Sequence, residues 1–248
     1  MSKSIMNTTL NYSPNFDVKK RKVKEIKFII FHYTGMKKQN QAINRLTDTK
    51  SKVSSHYLIK NNGEILTLVP DLYVAWHAGV SSWKNYKSIN KYSIGIEISN
   101  PGHEYSYKNF SKKQIKSILK LSTYLRKKYK IKSNFILGHS DIAPDRKKDP
   151  GEKFPWKYLS KNKIGHWHNL NEKKLFKKRN QIVDKLEKNI FIKNLYKLGY
   201  TKNILFNKYT YSKLLITAVQ RRFRQELVNG IIDQECLFIS NNLAKNLK

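Results

Sequence analysis

The segment Tyr92–Ser99, "YSIGIEIS", restricts the fold more than any other stretch of the chain. It alternates strictly: Ile94, Ile96 and Ile98 fall on one face of an extended strand, with Gly95 and Glu97 on the other. Period-two alternation of β-branched residues specifies a strand rather than a helix. A glutamate inside such a strand is costly to bury unless it is paired or used. Either Glu97 belongs to a site, or the strand lies at a sheet edge with Glu97 partly exposed.

Other segments join it. "KEIKFIIFHYT", residues 24–34, is an apolar run bounded by charge and reads as a buried strand. Ser55–Lys60 and Glu64–Pro70 flank Asn61-Asn62-Gly63 and read as a hairpin. Asn134–His139, "NFILGH", is a further short strand. Ser111–Tyr129 is a helix: Ser111 and Gln114 form a capping box, and Ile115, Ile118, Leu119 and Leu125 make the apolar stripe. Strands and helices mixed with a hairpin predict an α/β fold with a central mixed β-sheet flanked by helices.

After Leu159 the pattern changes. Residues 161–180 are polar and lysine-rich without a sustained period, and read as a linker. Helical patterns follow at 181–198, 211–225 and 233–247, broken at Leu198–Tyr200 and Asn229–Gly230. The expected organisation is a domain over residues 1–160, with an N-terminal extension over about 1–20, and a small all-helical domain over 181–248.

Bulk properties set outer limits. The single cysteine, Cys236, excludes an internal disulfide framework. No apolar run approaches the roughly 20 residues that span a bilayer. The start, "MSKSIMNTTLNYSPNFDVKK", shows no apolar signal region and no lipid-anchor cysteine, which reads as cytoplasmic. The net charge of +33 suits a polyanionic partner such as nucleic acid, an anionic membrane or a carboxylate-rich cell wall. Codon composition offers another account, because Lys, Asn, Ile and Tyr are all abundant and all have AT-rich codons. The lysines are spread along the chain rather than gathered in one arm.

Of the seven histidines, His103, His166 and His168 read as surface residues and His56 as a core or hydrogen-bonded one. His77, beside Trp76 in "AWHAG", could line a cleft. His32 and His139 each end an apolar strand, where side chains from different strands converge at a sheet edge. A hydrolytic zinc site takes three protein ligands and leaves a fourth position open. His32 and His139 could supply two nitrogens. Asp149, ten residues beyond His139, could return an oxygen, and Pro150 holds it extended. Lys147 would then point the same way as Asp149. Spacing alone leaves both a metal site and unrelated polar residues open.

The blocks "FIIFHYTG", "VSSHYLI", "LVPDLYVAWHAGVSSW", "SIGIEISN" and "GHSDIAPDRKKDPGEKFPW" together resemble the type 2 N-acetylmuramoyl-L-alanine amidases. This zinc amidase family includes AmpD, AmiD and the peptidoglycan recognition proteins. The resemblance covers roughly residues 10–160. Leu214–Cys236 resembles the helical peptidoglycan-binding module that follows the amidase domain in the AmiD-like branch.

The resemblance implies one Zn2+ per chain, held by His32, His139 and Asp149. It makes Glu97 the catalytic carboxylate and Lys147 the cationic stabiliser. Ser55 stands where some relatives carry a catalytic tyrosine, which leaves proton transfer to Glu97. The implied reaction is hydrolysis of the amide between N-acetylmuramic acid and L-alanine in peptidoglycan or muropeptides. Trp76, His77, Trp83 and Arg146 are expected along the substrate groove. By resemblance the AmiD-like architecture points to the cell envelope, against the reading of the N-terminus. One alternative is a non-catalytic peptidoglycan-binding protein. A basic nucleic-acid-binding protein is another, although no helix-turn-helix, zinc-finger or aromatic RNP pattern accompanies the charge.

Overall fold

The computed structural model describes residues 7–202 and 208–247. The strands are β1 (Thr9–Leu10), β2 (Phe16–Asp17), β3 (Phe28–Tyr33), β4 (Tyr57–Ile59), β5 (Ile65–Thr67), β6 (Val74–Ala75), β7 (Ser82–Trp83), β8 (Tyr86–Lys87), β9 (Ser93–Ile98) and β10 (Ile136–Gly138). The helices are α1 (Gln39–Thr47), α2 (Lys112–Lys128), α3 (His139–Ile142), α4 (Trp156–Ser160), α5 (Glu172–Phe176), α6 (Lys185–Leu198), α7 (Lys208–Phe223) and α8 (Gln234–Lys245). Six strands form one mixed sheet in the order β1-β5-β4-β9-β3-β10. The β4–β5 hairpin is antiparallel, whereas β3 pairs in parallel with β9 and β10. The expected mixed α/β architecture is the one observed. "YSIGIEIS" is a central strand, so Glu97 is no edge-strand residue.

Alternation along β3 and β9 sorts the two faces. Ile29, Phe31, Ile94, Ile96 and Ile98 pack with Ile118, Leu121 and Leu125 of α2. On the opposite face Phe28, Ile30 and Leu137 join a core with Leu195, Leu215, Val219 and Leu237 of the C-terminal helices. That second face also carries His32 and Glu97, which stand opposite each other in register between β3 and β9. The C-terminal helices therefore seal one end of a sheet face whose other end holds the polar residues.

Several details depart from expectation. Residues 1–6 of the expected N-terminal extension lie outside the described residues, but Thr9–Leu10 adds β1 to the sheet edge against β5. Residues 161–180 contain α5 and bury Ile164 and Leu175 against the cores. His168 is buried rather than superficial. The last sheet strand ends at Gly138, one residue earlier than expected, so His139 opens α3.

Candidate metal centre

His32, His139 and Asp149 meet at the C-terminal end of the parallel strands, among the described residues the one such group of His, Cys or carboxylates able to hold a metal. β3 delivers His32, the turn from β10 into α3 delivers His139, and Asp149 returns through the following loop. The Ser140 N–H donates to the Asp149 carbonyl at 2.9 Å, tying that loop to α3. Both histidine Nδ1 atoms lie 3.0 Å from Asp149 Oδ2 and 2.9 Å from each other. All three residues are at least nine-tenths buried.

Three ligand atoms in a triangle with 2.9–3.0 Å edges approximate one face of a tetrahedral zinc site, whose edges are about 3.3 Å for bonds of about 2.0–2.1 Å. The donor chemistry also fits. The His139 Nε2–H donates to the Ala78 carbonyl at 3.1 Å, which leaves Nδ1 as a lone pair. Burial, then the neighbouring His139, lowers the His32 pKa to about 4, so this imidazole is neutral and able to ligate. Burial alone would raise the Asp149 carboxyl, yet His139 and His32 together hold it far below the usual carboxylate range. Two imidazole nitrogens and a carboxylate thus converge as a set of donors able to hold a metal cation.

Glu97 stands beside this group, its Oε2 buried with no hydrogen-bond partner among the described residues. Burial, and then the charge of Asp149, raises its pKa to about 8, against an opposing pull from Lys147. Lys147 is part-buried in the same cleft and acts electrostatically on both Glu97 and His32. The cleft has a volume of about 710 Å³ and is open to solvent beside Tyr33, Arg45, Trp76, His103 and Tyr105.

The expected substrate-groove residues divide. Trp76 lines the cleft and its indole N–H donates to Asp17 Oδ1 at 2.7 Å. Arg146 also lines it, but its guanidinium donates to the carbonyls of Ala78 and Val80 and so braces that loop. His77 reaches the cleft wall, yet both its nitrogens are engaged by protein, Nδ1 with His32 and Nε2 with Ser93. Trp83 is a correction. It is 4% exposed and packs edge-on against Tyr200 at 4.8 Å, away from the cleft. The contact is so close that a Cβ on Gly199 would lie 2.4 Å from the indole. The β7–β8 hairpin turns this tryptophan toward a residue more than a hundred positions later, which local sequence cannot reveal.

His103 is another correction, since it is clamped between the Tyr33 hydroxyl at 2.9 Å and Glu152 at 3.0 Å on the rim of the cleft. Arg45 and Tyr105 were not foreseen there. Arg45 comes from α1, a short helix with few apolar positions and no readable cap.

Comparison with known proteins accounts for this arrangement. Residues 22–152 match the family described as N-acetylmuramoyl-L-alanine amidase. The Escherichia coli amidase AmiD is 32% identical over 232 residues, covering 89% of this chain and 83% of that protein. The Haemophilus influenzae 1,6-anhydro-N-acetylmuramyl-L-alanine amidase AmpD is 32% identical over 60% of this chain and 88% of its own length. The structure of E. coli AmiD bound to anhydro-N-acetylmuramic acid-L-Ala-D-γ-Glu-L-Lys superposes with a TM-score of 0.78, covering 89% of each chain at 32% identity. AmpDh3 of Pseudomonas aeruginosa superposes with a TM-score of 0.77 over 99% of this chain and 97% of its own, at 27% identity. With the family profile covering the segment that carries the whole metal triad, and an AmiD relative alike along nearly the full length, the chain belongs to the N-acetylmuramoyl-L-alanine amidase family.

Proposed function

We propose that this amidase is zinc-dependent, that His32, His139 and Asp149 hold the metal, and that it cleaves the amide between N-acetylmuramic acid and L-alanine in muropeptides or peptidoglycan. The observation that carries the proposal is the convergence of Nδ1, Nδ1 and Oδ2 at 2.9–3.0 Å in one buried group. The substrate class is supported by E. coli AmiD and P. aeruginosa AmpDh3, solved with an anhydromuramic tripeptide and pentapeptide respectively.

Amides resist hydrolysis because the carbonyl is a poor electrophile and the amine a poor leaving group. Zinc, when bound, supplies Lewis-acid polarisation of the scissile carbonyl and of the attacking water. Glu97 acts as the proton carrier. Its carboxylate takes a proton from the water and delivers it to the departing L-alanine nitrogen, and its buried Oε2, with no hydrogen-bond partner among the described residues, leaves it available for both transfers. Lys147 directs its ammonium toward negative charge developing on the carbonyl oxygen, an interaction of a kind typically worth about 3–4 kcal/mol. Lys37, Arg45 and Lys148 along the cleft complement stem-peptide carboxylates, and Trp76 offers an apolar wall. Residues 1–160 form the amidase domain, and residues 181–248 act as a peptidoglycan-binding-like module.

Release of stem peptide from anhydro-muropeptide by the purified chain tests the reaction. Chelation should abolish turnover and added zinc should restore it. Asp149→Ala should lose the metal on direct metal analysis, whereas Glu97→Gln should keep one zinc per chain and lose about 10²–10⁴-fold in kcat. Near-normal turnover in the Glu97 variant would refute the role given to that residue. Retention of intact sacculi by the inactive full chain would support the binding module.

A further inference from the structure

β9 turns Ser93, Gly95 and Glu97 to the face opposite its isoleucines. Glu97 stands at the cleft, and the other two lie beneath His77. The buried ring of His77 lies over them, 9% exposed, with Nδ1 3.0 Å from His32 Nε2 and its own Nε2 3.0 Å from Ser93 Oγ.

Counting hydrogens gives this chain a direction. The Ser93 hydroxyl has one hydrogen, which it donates to the Ile89 carbonyl at 2.7 Å. Ser93 Oγ therefore accepts from His77 Nε2–H. A neutral imidazole carries a single N–H, so His77 Nδ1 is a lone pair and can only accept. The proton between the two rings must then come from His32 Nε2. His32 Nδ1 is left as the lone pair, and it is the atom that faces Asp149 Oδ2 and His139 Nδ1.

Gly95 completes the device. A Cβ at this position would lie 2.4 Å from His77 Cγ and 2.7 Å from His77 Nδ1. The glycine is needed for the ring to lie flat against the strand, not for an unusual backbone, since it is absent from the glycines with positive φ.

We infer that His77 is a positioning residue for the metal: with Ser93 and the Ile89 carbonyl behind it, it fixes His32 in the tautomer that presents Nδ1 as a ligand. His139 receives the same service from the Ala78 carbonyl, one residue along the chain from His77. Outer partners of this kind orient a ligating ring and typically govern metal affinity by about 10–100-fold. The inference rests on the zinc reading above.

The wild-type chain provides a direct test. Ring ¹⁵N spectra of the zinc-loaded protein should show His77 protonated at Nε2 and bare at Nδ1, and His32 protonated at Nε2. The opposite His77 tautomer, or a doubly protonated ring, overturns the inference without any variant having to fold. Chelator competition on His77→Ala should raise the zinc dissociation constant about 10–100-fold while circular dichroism stays unchanged. His77→Asn, whose amide oxygen can stand in for Nδ1, should recover most of that loss, and Gly95→Ala should resemble His77→Ala. Equal losses in the Ala and Asn variants would reduce His77 to packing and sink the inference, as would wild-type zinc affinity in His77→Ala. A wild-type chain that binds no zinc would instead overturn the zinc reading and this inference with it.

Discussion

Glu97 and Asp149 are neighbouring carboxyl groups driven in opposite directions. Asp149 lies 3.0 Å from the Nδ1 atoms of His32 and His139 and is held far below the usual range, while Glu97 has one oxygen buried without a partner among the described residues and rises to about 8. The signs give distinct pH responses. Between the ordinary value of 4.5 and about 8, native Glu97 in the metal-free protein retains a proton that the unfolded chain releases. The native state binds more protons in that window, so stability falls as pH rises through it. Asp149 does the reverse: its contribution is present above its ordinary value of 3.8 and is lost as pH falls through its lowered one. Thermal melting of metal-free Glu97→Gln should therefore lose less stability than wild type as pH rises from 4.5 to 8, because the amide does not titrate. Parallel melting curves across that range would contradict the burial of the Glu97 carboxyl.

At the scale of elements, the long helix α2 illustrates a structure specified by local chemistry. Ser111 caps it by accepting from the Gln114 N–H at 3.2 Å, and Gln114 Oε1 returns to the Ser111 N–H at 3.0 Å. The same Gln114 side chain donates to the Ser99 carbonyl at 2.7 Å, which fastens the start of α2 to the end of β9. Ser111→Ala should cost about 1 kcal/mol in urea denaturation with little effect on zinc affinity. The cap and the apolar stripe are both legible in the sequence, although Leu121 proves more deeply buried than Ile115 or Leu119. α1 and α3 are not legible, because nine and four residues without a side-chain cap carry too little periodicity to be distinguished from loop.

Over the whole molecule, the C-terminal helices are joined to the candidate metal centre through Asp141, two residues after His139. Asp141 accepts from the Gly138 N–H at 2.7 Å, from the Tyr200 hydroxyl at 2.6 Å and from the Arg222 guanidinium. Arg222 also donates to the Ile136 carbonyl at 3.1 Å and stacks over Trp156 at 4.2 Å. A buried pair broken from one side leaves an uncompensated charge, so Arg222→Ala should destabilise the protein by about 3–5 kcal/mol in urea denaturation. Tyr200→Phe should cost about 1.5–3 kcal/mol by the same measurement, as a hydrogen bond to a charged group. With Phe28 and Ile30 of the sheet sharing one core with Leu195 and Leu215, wild type should unfold in a single transition. Two resolved transitions would show that the shared core does not couple the two parts.

The sequence by itself determined what depends on neighbours along the chain. The strand alternation at Ile94, Ile96 and Ile98, the capping box at Ser111 and Gln114, the hairpin around Gly63 and the strand-end position of His32 all follow from local periodicity and turn chemistry. Its family motifs also marked His139, Asp149, Glu97 and Lys147 as a set. Tertiary structure alone decided which surfaces meet. It turned Trp83 onto Gly199 and Tyr200, brought Arg45 to the cleft, and stood His77 between His32 and Ser93. These contacts depend on sheet order and helix docking, which bring distant segments together. A hydrogen bond such as His32 to His77, spanning 45 residues, leaves no periodic trace between its partners.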